Sequence, residues 1–263
     1  MQVERLFVYP IKSLGGVEVL NARVESRGLE LDRRWMLVDE QGIFLTQRTH
    51  PELALFELKI DSAKLLVTNQ ENGKHTSVPF EPKGEWCSAL VWDDKVDVKE
   101  VSAGISKWFS EQLQQNIRLV YMPNESRRKV DERYVVNIND IVSFADGYPI
   151  LITNDASLVD LNSRLEEKVE MERFRPNIVV DSLTPFEEDT WSRLQTDTIE
   201  LSLVKKCARC VMVNINPATG KKGTEVLAKL SEYRREGNKV YFGTNAIPVK
   251  TGIIQVGDIL EAS

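Results

Sequence analysis

The sequence predicts a strand-rich α+β fold, and two patterns lead to this prediction. Short runs of β-branched and aromatic residues, separated by turn residues, recur along the whole chain. Only three segments show helical periodicity instead. Because the strands and helices do not alternate, a parallel βαβ array is not expected. The expected architecture is a β-barrel or a mixed α+β body with a few flanking helices.

The candidate strands share short length and flanking turn residues. They are Val3–Tyr9, Ala22–Val24, Trp35–Val38, Ile43–Thr46, Leu55–Ile60, Lys64–Thr68, Val96–Val101, Arg118–Met122, Ile150–Thr153, Asn177–Val180, Ile199–Val204, Val211–Ile215, Lys239–Phe242 and Asp258–Glu261. A hairpin turn is predicted at Asp39–Gly42, where glycine readily adopts positive φ.

The three predicted helices are Ala103–Gln114, Asp155–Val169 and Thr224–Arg235. Each places apolar residues three or four positions apart, which is typical of a helix with one buried face. Asn154 or Asp155 is a suitable N-cap for the second helix, and Gly237 a suitable stop for the third.

Composition narrows the class of protein. The chain has 263 residues, 42% of them hydrophobic, and a formal net charge of −6. A mildly acidic chain without a long basic run is a poor match for nucleic acid or an anionic membrane. No apolar run approaches the roughly 20 residues of a membrane span, and the start of the sequence lacks the pattern of a signal peptide. We therefore expect a cytoplasmic protein without a membrane anchor.

Domain organisation follows from one charged, loop-like stretch, residues 123–139. This stretch predicts a boundary between residues 1–122 and residues 123–263. It is equally consistent with a surface loop inside one compact body.

The segment Lys205–Cys210 (KKCARC) is the sharpest local feature. Nearby positive charge favours the thiolate form of cysteine. Four interpretations remain open: a redox-active thiol pair, a structural zinc site, two inert half-buried cysteines, and a single thiolate that binds a soft metal. A thioredoxin-like pair is disfavoured because a strand, not a helix, is predicted after Cys210. Zinc is disfavoured because no second CxxC is present.

Basic residues also stand where predicted strands begin or end. Lys12 and Ser13 lie in a loop with two glycines, and Arg33 and Arg175 precede strands. Cations and exposed backbone N–H groups in such places suit phosphate binding. For each residue alone, a surface position or an ordinary salt bridge explains the pattern better than phosphate binding does.

In sequence order, several segments resemble the MOSC-domain proteins, notably the mitochondrial amidoxime-reducing component and its bacterial relatives. The matching segments are YPIKS (9–13), DRRW (32–35), DASLVDLN (155–162), FRPN (174–177), FEEDTW (186–191), CARC (207–210), NPATG (216–220) and GIIQVGD (252–258). The resemblance covers nearly the whole chain. It implies a MOSC N-terminal β-barrel domain, then a MOSC β-barrel domain, with a molybdenum–molybdopterin cofactor between them.

The resemblance also implies site residues. Cys210 would be the molybdenum ligand and the catalytic residue, whereas Cys207 would have no such role. The residues that would contact the pterin are Lys12, Ser13, Arg33, Asp146, Gly147, Tyr148, Arg175, Asn177, Ala208, Arg209 and Asn245. Relatives carry small hydroxylated residues where this chain has Gly147 and Tyr148, and often serine at Ala208. The departures at Gly147 and Tyr148 leave backbone contacts to the cofactor, and the one at Ala208 removes a side-chain donor.

The implied activity is reduction of N-hydroxylated compounds, or of S- or N-oxides. Three cysteines cannot form a four-cysteine iron–sulfur site, so we expect electrons from a separate ferredoxin-, flavin- or cytochrome b5-type protein. One alternative is a sulfur carrier that uses a cysteine persulfide, and another is a Cys207–Cys210 thiol–disulfide enzyme. MOSC domains have also been linked to pyridoxal phosphate, but no lysine in the sequence has a clearly apolar setting.

Overall fold

A computed structural model describes residues 1–263 as nineteen strands, three α-helices and four short 3-10 helices. The strands of the first half are β1 (Gln2–Val8), β2 (Val17–Val19), β3 (Asn21–Glu25), β4 (Gly28–Leu29), β5 (Trp35–Val38), β6 (Phe56–Asp61), β7 (Lys64–Asn69), β8 (His75–Pro79), β9 (Trp86–Val91), β10 (Asp94–Glu100) and β11 (Arg118–Tyr121). Those of the second half are β12 (Ile150–Asn154), β13 (Ile178–Asp181), β14 (Arg193–Gln195), β15 (Glu200–Ala208), β16 (Arg235–Glu236), β17 (Lys239–Lys250), β18 (Gly252–Gln255) and β19 (Glu261–Ala262). The helices are α1 (Ala103–Leu113), α2 (Asp155–Asn162) and α3 (Glu225–Tyr233), and the 3-10 helices are Pro51–Leu55, Met171–Phe174, Glu187–Asp189 and Val211–Asn214.

The largest sheet has nine strands and joins both ends of the chain. Its order is β19-β14-β15-β17-β12-β13-β1-β2, with β16 paired to β17. Strands β12 and β13 are parallel, while β1 is antiparallel to β13. The sheet order therefore places the first strand of the chain beside a strand, β13, that follows it by about 170 residues.

Three smaller sheets complete the fold. Their orders are β5-β11-β10-β9, β6-β7-β8 and β18-β3-β4. The last of these again pairs an N-terminal strand with a C-terminal one. The prediction of a strand-rich α+β fold is confirmed.

The large sheet is buried on both faces, as β1 shows. Successive side chains of a strand point to opposite faces. Leu6 and Val8 pack in one cluster of buried residues with β3, β12 and β18, whereas Phe7 and Tyr9 pack in another with α2 and α3. A separate cluster around Trp35, Phe56 and Phe109 joins the β6-β7-β8 sheet, β5 and β11 to α1. Because the sheet has no solvent-facing side here, loops at the strand ends are the places where side chains can form a cleft.

All three predicted helices are present, but α2 is shorter than predicted. It ends at Asn162 instead of Val169. The Asn162 amide donates to the Val169 carbonyl and accepts from the Val169 N–H, both at 2.9 Å, and so closes the following segment as a loop. Leu165 and Val169 remain buried within that loop. None of the helices is long and apolar enough to cross a bilayer.

Two predicted strands are wrong, and a third, Asp258–Glu261, overlaps β19 only at Glu261. Ile43–Thr46 makes only single bridges, to Val38 and to Leu90, although the turn before it forms as predicted. In the predicted strand Val211–Ile215, residues Val211–Asn214 form a 3-10 helix instead. Val213 packs in the buried cluster that also contains residues of α2 and α3. A short apolar run has too little periodicity to separate strand from helix. Because no strand follows Cys210 directly, the local structure does not disfavour a thioredoxin-like pair.

The charged stretch 123–139 is largely irregular, and one buried arginine ties it to the fold. Arg128 forms an ion pair with Asp94 at 2.7 Å and donates to the carbonyls of Ser143, Ala145 and Asp146 at 2.9, 2.5 and 3.2 Å. These bonds fix the backbone of the segment that leads to β12. The division at residues 122 and 123 stays a prediction.

Candidate cleft at the ends of the central strands

A cleft of about 340 Å³ opens where several strands of the large sheet begin or end. The chain reaches it from β1 through Lys12 and Ser13, before β5 at Arg33, before β12 at residues 145–148, before β13 at residues 173–177, and after β15 at Cys210. At the cleft, one row of neighbouring residues runs from the residue before β13 across β12 and β17 to β15. The Asn177 N–H donates to Leu151, Leu151 pairs with Asn245, and Asn245 pairs with Lys205.

All twelve residues that the sequence singled out line this cleft. They are Lys12, Ser13, Arg33, Asp146, Gly147, Tyr148, Arg175, Asn177, Ala208, Arg209, Cys210 and Asn245. The cations expected to converge near the Cys210 sulfur therefore share one cavity with it. Arg48, Arg173, Thr46 and Met212 also line the cleft and were not singled out.

Three cleft residues adopt the left-handed backbone conformation, although none is glycine. The φ angles are 70° at Ser13, 49° at Arg33 and 54° at Arg175. Each such residue costs about 1 kcal/mol or more, and strained residues of this kind cluster at functional sites. Backbone bonds hold two of them in place: Arg33 N–H donates to Tyr9 at 2.9 Å, and Arg175 N–H to Glu172 at 3.1 Å.

The Tyr9 ring supports two guanidinium groups. The guanidinium carbons of Arg33 and Arg175 lie 4.4 and 4.3 Å from the ring centroid. Arg33 also contacts the buried Asp32 at 2.7 Å and donates to Asn177 at 3.2 Å, whereas Arg175 donates only to the Leu14 carbonyl, at 2.7 Å. Loss of water and the nearby Arg33 charge lower the pKa of Arg175 to about 10. An anion bound beside this guanidinium would relieve that unfavourable charge.

Lys12 and Asp146 form an ion pair inside the cleft. The Lys12 ammonium lies 2.6 Å from Asp146 and donates to the Phe144 carbonyl at 2.7 Å. Burial lowers the pKa of Lys12, against the raising effect of Asp146. The Asp146 side chain is 59% exposed, and the neighbouring charges of Lys12 and Arg48 hold the pKa of its carboxyl well below the ordinary value. The sequence-based view that no lysine has a desolvated setting is wrong, because Lys12 is 6% exposed.

The two cysteines of the CARC segment contact different arginines. Cys210 lies just before the 3-10 helix, and its Sγ accepts from Arg48 Nη2 at 3.6 Å. Cys207 Sγ accepts from Arg209 Nη1 at 3.0 Å, while Arg209 Nη2 donates to the Phe174 carbonyl at 2.7 Å. The arginine of the motif is therefore bonded to Cys207, and the one bonded to Cys210 comes from a distant loop. The only sequence pattern that pointed to this second arginine, Arg48, was its position just after a predicted strand.

The remaining cleft residues differ in what they offer a ligand. An added Cβ at Gly147 would meet open space, so this position presents backbone only. Ala208 is exposed, and Asn245 donates to the Lys205 carbonyl at 3.2 Å. The Tyr148 hydroxyl is buried without a hydrogen-bond partner. Tyr148 therefore supplies an uncommitted polar group where the resemblance expected a small hydroxylated residue.

The charge of the cleft suits an anionic ligand. Eight basic residues line it and one acidic residue, Asp146, although the whole chain carries a net charge of −6. Four of the basic residues have no carboxylate within 4.0 Å: Arg173, Arg175, Lys205 and Arg209. The Arg209 Nε is also buried without a partner. Buried cations without a carboxylate and buried N–H donors without an acceptor raise the free energy of the folded state. A bound anion would offset that cost.

Comparison with known proteins identifies the family of the chain. Residues 1–116 match the MOSC N-terminal beta barrel domain, and residues 139–261 match the MOSC domain. The chain is 32% identical to Mitochondrial amidoxime reducing component 2 of Homo sapiens and 34% identical to that of Rattus norvegicus, over 97% of this chain and 82% and 81% of theirs. It is 29% identical to Molybdenum cofactor sulfurase of Bos taurus, over 92% of this chain but 29% of that protein. The chain therefore belongs to the MOSC family, in the group with an N-terminal MOSC β-barrel domain, as its sequence motifs predicted.

Proposed function

We propose that the chain binds a molybdenum–molybdopterin cofactor through the Cys210 sulfur and reduces N-hydroxylated small molecules. The observation that carries this proposal is the cleft itself, in which the Cys210 sulfur shares one cavity with four cations that lack carboxylate partners. Similarity to amidoxime-reducing components and to molybdenum cofactor sulfurase supports the same class of cofactor.

The side chains of the cleft fit a molybdenum–molybdopterin cofactor in two respects. Molybdopterin carries a terminal phosphate and an ene-dithiolate, so its negative charge requires cations, which Arg33, Arg175 and Arg209 supply. A soft thiolate is a suitable protein ligand for a sulfur-coordinated metal, and Cys210 faces the cleft. In this proposal Lys12, Ser13, Asn177 and Asn245 contact the cofactor through polar side chains. Gly147 and Ala208 contribute backbone only.

When bound, the cofactor would supply the two-electron removal of oxygen from an N–OH group, with two protons taken up and water released. The protein would position the cofactor for this reduction. Its cations neutralise the anionic group, and the Lys12–Asp146 pair keeps an ordered charge inside the cleft. Electrons would come from a separate ferredoxin-, flavin- or cytochrome b5-type protein. Cytoplasmic location stays a prediction, since the similar amidoxime-reducing components are named as mitochondrial.

The test compares Cys210→Ala with Cys207→Ser, a matched change three residues away. Both proteins are expressed with ample molybdenum, and the metal-to-protein ratio is measured together with reduction of benzamidoxime by chemically reduced methyl viologen. We expect Cys210→Ala to lose metal and turnover, while Cys207→Ser keeps both. Stoichiometric molybdenum in folded Cys210→Ala would refute the assignment of the ligand.

A second candidate is a sulfur carrier that holds a persulfide on Cys210. The match to molybdenum cofactor sulfurase favours it. The cations around the sulfur would stabilise a persulfide anion as well as a thiolate. Mass spectrometry separates the two functions: a mass increase of one sulfur atom on Cys210, in protein free of molybdenum, would support the carrier.

A further inference from the structure

Arg48 contacts both the sulfur of Cys210 and the carboxylate of Asp146, two cleft residues from different parts of the chain. It lies in an irregular segment between β5 and the first 3-10 helix, far from the CARC segment in sequence. Its Nη2 is 3.6 Å from Cys210 Sγ and 3.6 Å from Asp146 Oδ2. A sulfur acceptor has a larger radius than oxygen, so 3.6 Å is hydrogen-bonding distance for this contact. It is the one hydrogen bond that the Cys210 sulfur accepts.

The position of this guanidinium is set by several independent contacts. It lies 4.5 Å from the centroid of the Trp92 ring, and Trp92 packs edge-on against Phe44 at 4.9 Å. The Arg48 carbonyl also accepts from Lys222 at 3.0 Å. Trp92 itself has a φ of 54°, a strained conformation for a bulky residue. A planar cation clamped between an aromatic face and a carboxylate loses little further freedom when it donates to sulfur.

We infer that Arg48 is a positioning residue that sets the reduction potential of the metal bound to Cys210. This inference rests on the proposed function. A hydrogen bond to a ligating sulfur stabilises the electron density that the sulfur carries, and that density is greater when the metal is reduced. The reduced state is therefore favoured and the potential rises. Arg209, although it belongs to the cysteine motif, does not serve this purpose, since it donates to Cys207.

The first test measures the reduction potential of the bound metal by EPR-monitored redox titration. Arg48→Met removes the donor and keeps much of the side-chain length, while Arg48→Lys keeps the charge without the planar fork. Arg23→Met, an exposed change outside the cleft, is the matched control. We expect Arg48→Met to lower the one-electron equilibrium constant about tenfold, which is 59 mV. Arg48→Lys should lower it less, and Arg23→Met should leave it unchanged. A metal-loaded Arg48→Met with the potential of the unmodified protein would overturn the inference.

A second test needs no metal. In protein that carries Cys87→Ser and Cys207→Ser, Cys210 is the remaining thiol, and iodoacetamide measures its reactivity at pH 7. We expect Arg48→Met to slow alkylation of Cys210 about tenfold and Arg23→Met to leave the rate unchanged. An unchanged rate in Arg48→Met would show that the contact has no electronic effect. If the unmodified protein contained no molybdenum, the proposed function would fail while this test still decided the role of Arg48.

Discussion

Glu188 should make the stability of this protein depend on pH, because it is a fully buried carboxyl without a cationic partner. Its exposure is 0%, and its two oxygens accept from the Ser157 hydroxyl at 3.2 Å. Burial is the main cause that raises the pKa of Glu188 from 4.5 to about 7, and the neighbouring Asp189 adds to it. A carboxyl whose pKa is raised on folding stabilises the fold below its unfolded pKa. That contribution is lost as the pH rises from about 4.5 through 7.

The magnitude follows from the two pKa values. At about 1.4 kcal/mol per pKa unit, the full effect is roughly 3 kcal/mol, of which about 2.5 kcal/mol is lost between pH 5 and pH 8. Glu188→Gln mimics the protonated carboxyl at every pH. Its free energy of unfolding, relative to the unmodified protein, should therefore increase by about 2.5 kcal/mol between pH 5 and pH 8.

Urea denaturation at both pH values, followed by circular dichroism, measures this difference. Glu187→Gln is the matched control, since that side chain lies in the same 3-10 turn but stays half exposed. If the difference between Glu188→Gln and the unmodified protein were the same at pH 5 and pH 8, the buried-carboxyl argument would be refuted.

Two further predictions concern Gly243, which lies in β17, and Tyr9, whose ring contacts two arginines of the cleft. Gly243→Ala should destabilise the fold by roughly 2–4 kcal/mol, because φ is +77° and the new Cβ would lie 2.6 Å from the Ile152 carbonyl oxygen. Gly147→Ala is the control: its new Cβ would lie in open space, so it should change the free energy of unfolding by less than about 0.5 kcal/mol. If thermal denaturation showed equal destabilisation by Gly243→Ala and Gly147→Ala, this explanation would be contradicted. Tyr9→Leu should lower the molybdenum content, because Arg33 and Arg175 lose their aromatic support. Tyr9→Phe should retain the metal, since the Tyr9 hydroxyl has no partner; loss of metal in Tyr9→Phe would show that the hydroxyl, not the ring, matters.

Sequence patterns were sufficient for the fold class and for most residues of the cleft. Strand runs and helical periodicity report the backbone of each segment, and the three helices appear where that periodicity predicted them. Motif order identified Lys12, Arg33, Arg175 and Cys210 as parts of one site before any spatial information was available. Short apolar runs were less informative, and Val211–Ile215 became a 3-10 helix because packing of Val213 decided its conformation.

Only the tertiary structure decided which distant segments meet and which groups lose water. The pairing of β1 with β13, the contact of Arg48 with the Cys210 sulfur, and the burial of Lys12 and Glu188 all join or enclose residues far apart in sequence. Local patterns carry no information on such contacts, because hydration is lost only when surfaces from different segments come together. The sequence by itself determined which residue types are present for the proposed anion-binding cleft. The folded structure determined their partners, and therefore their charge environment.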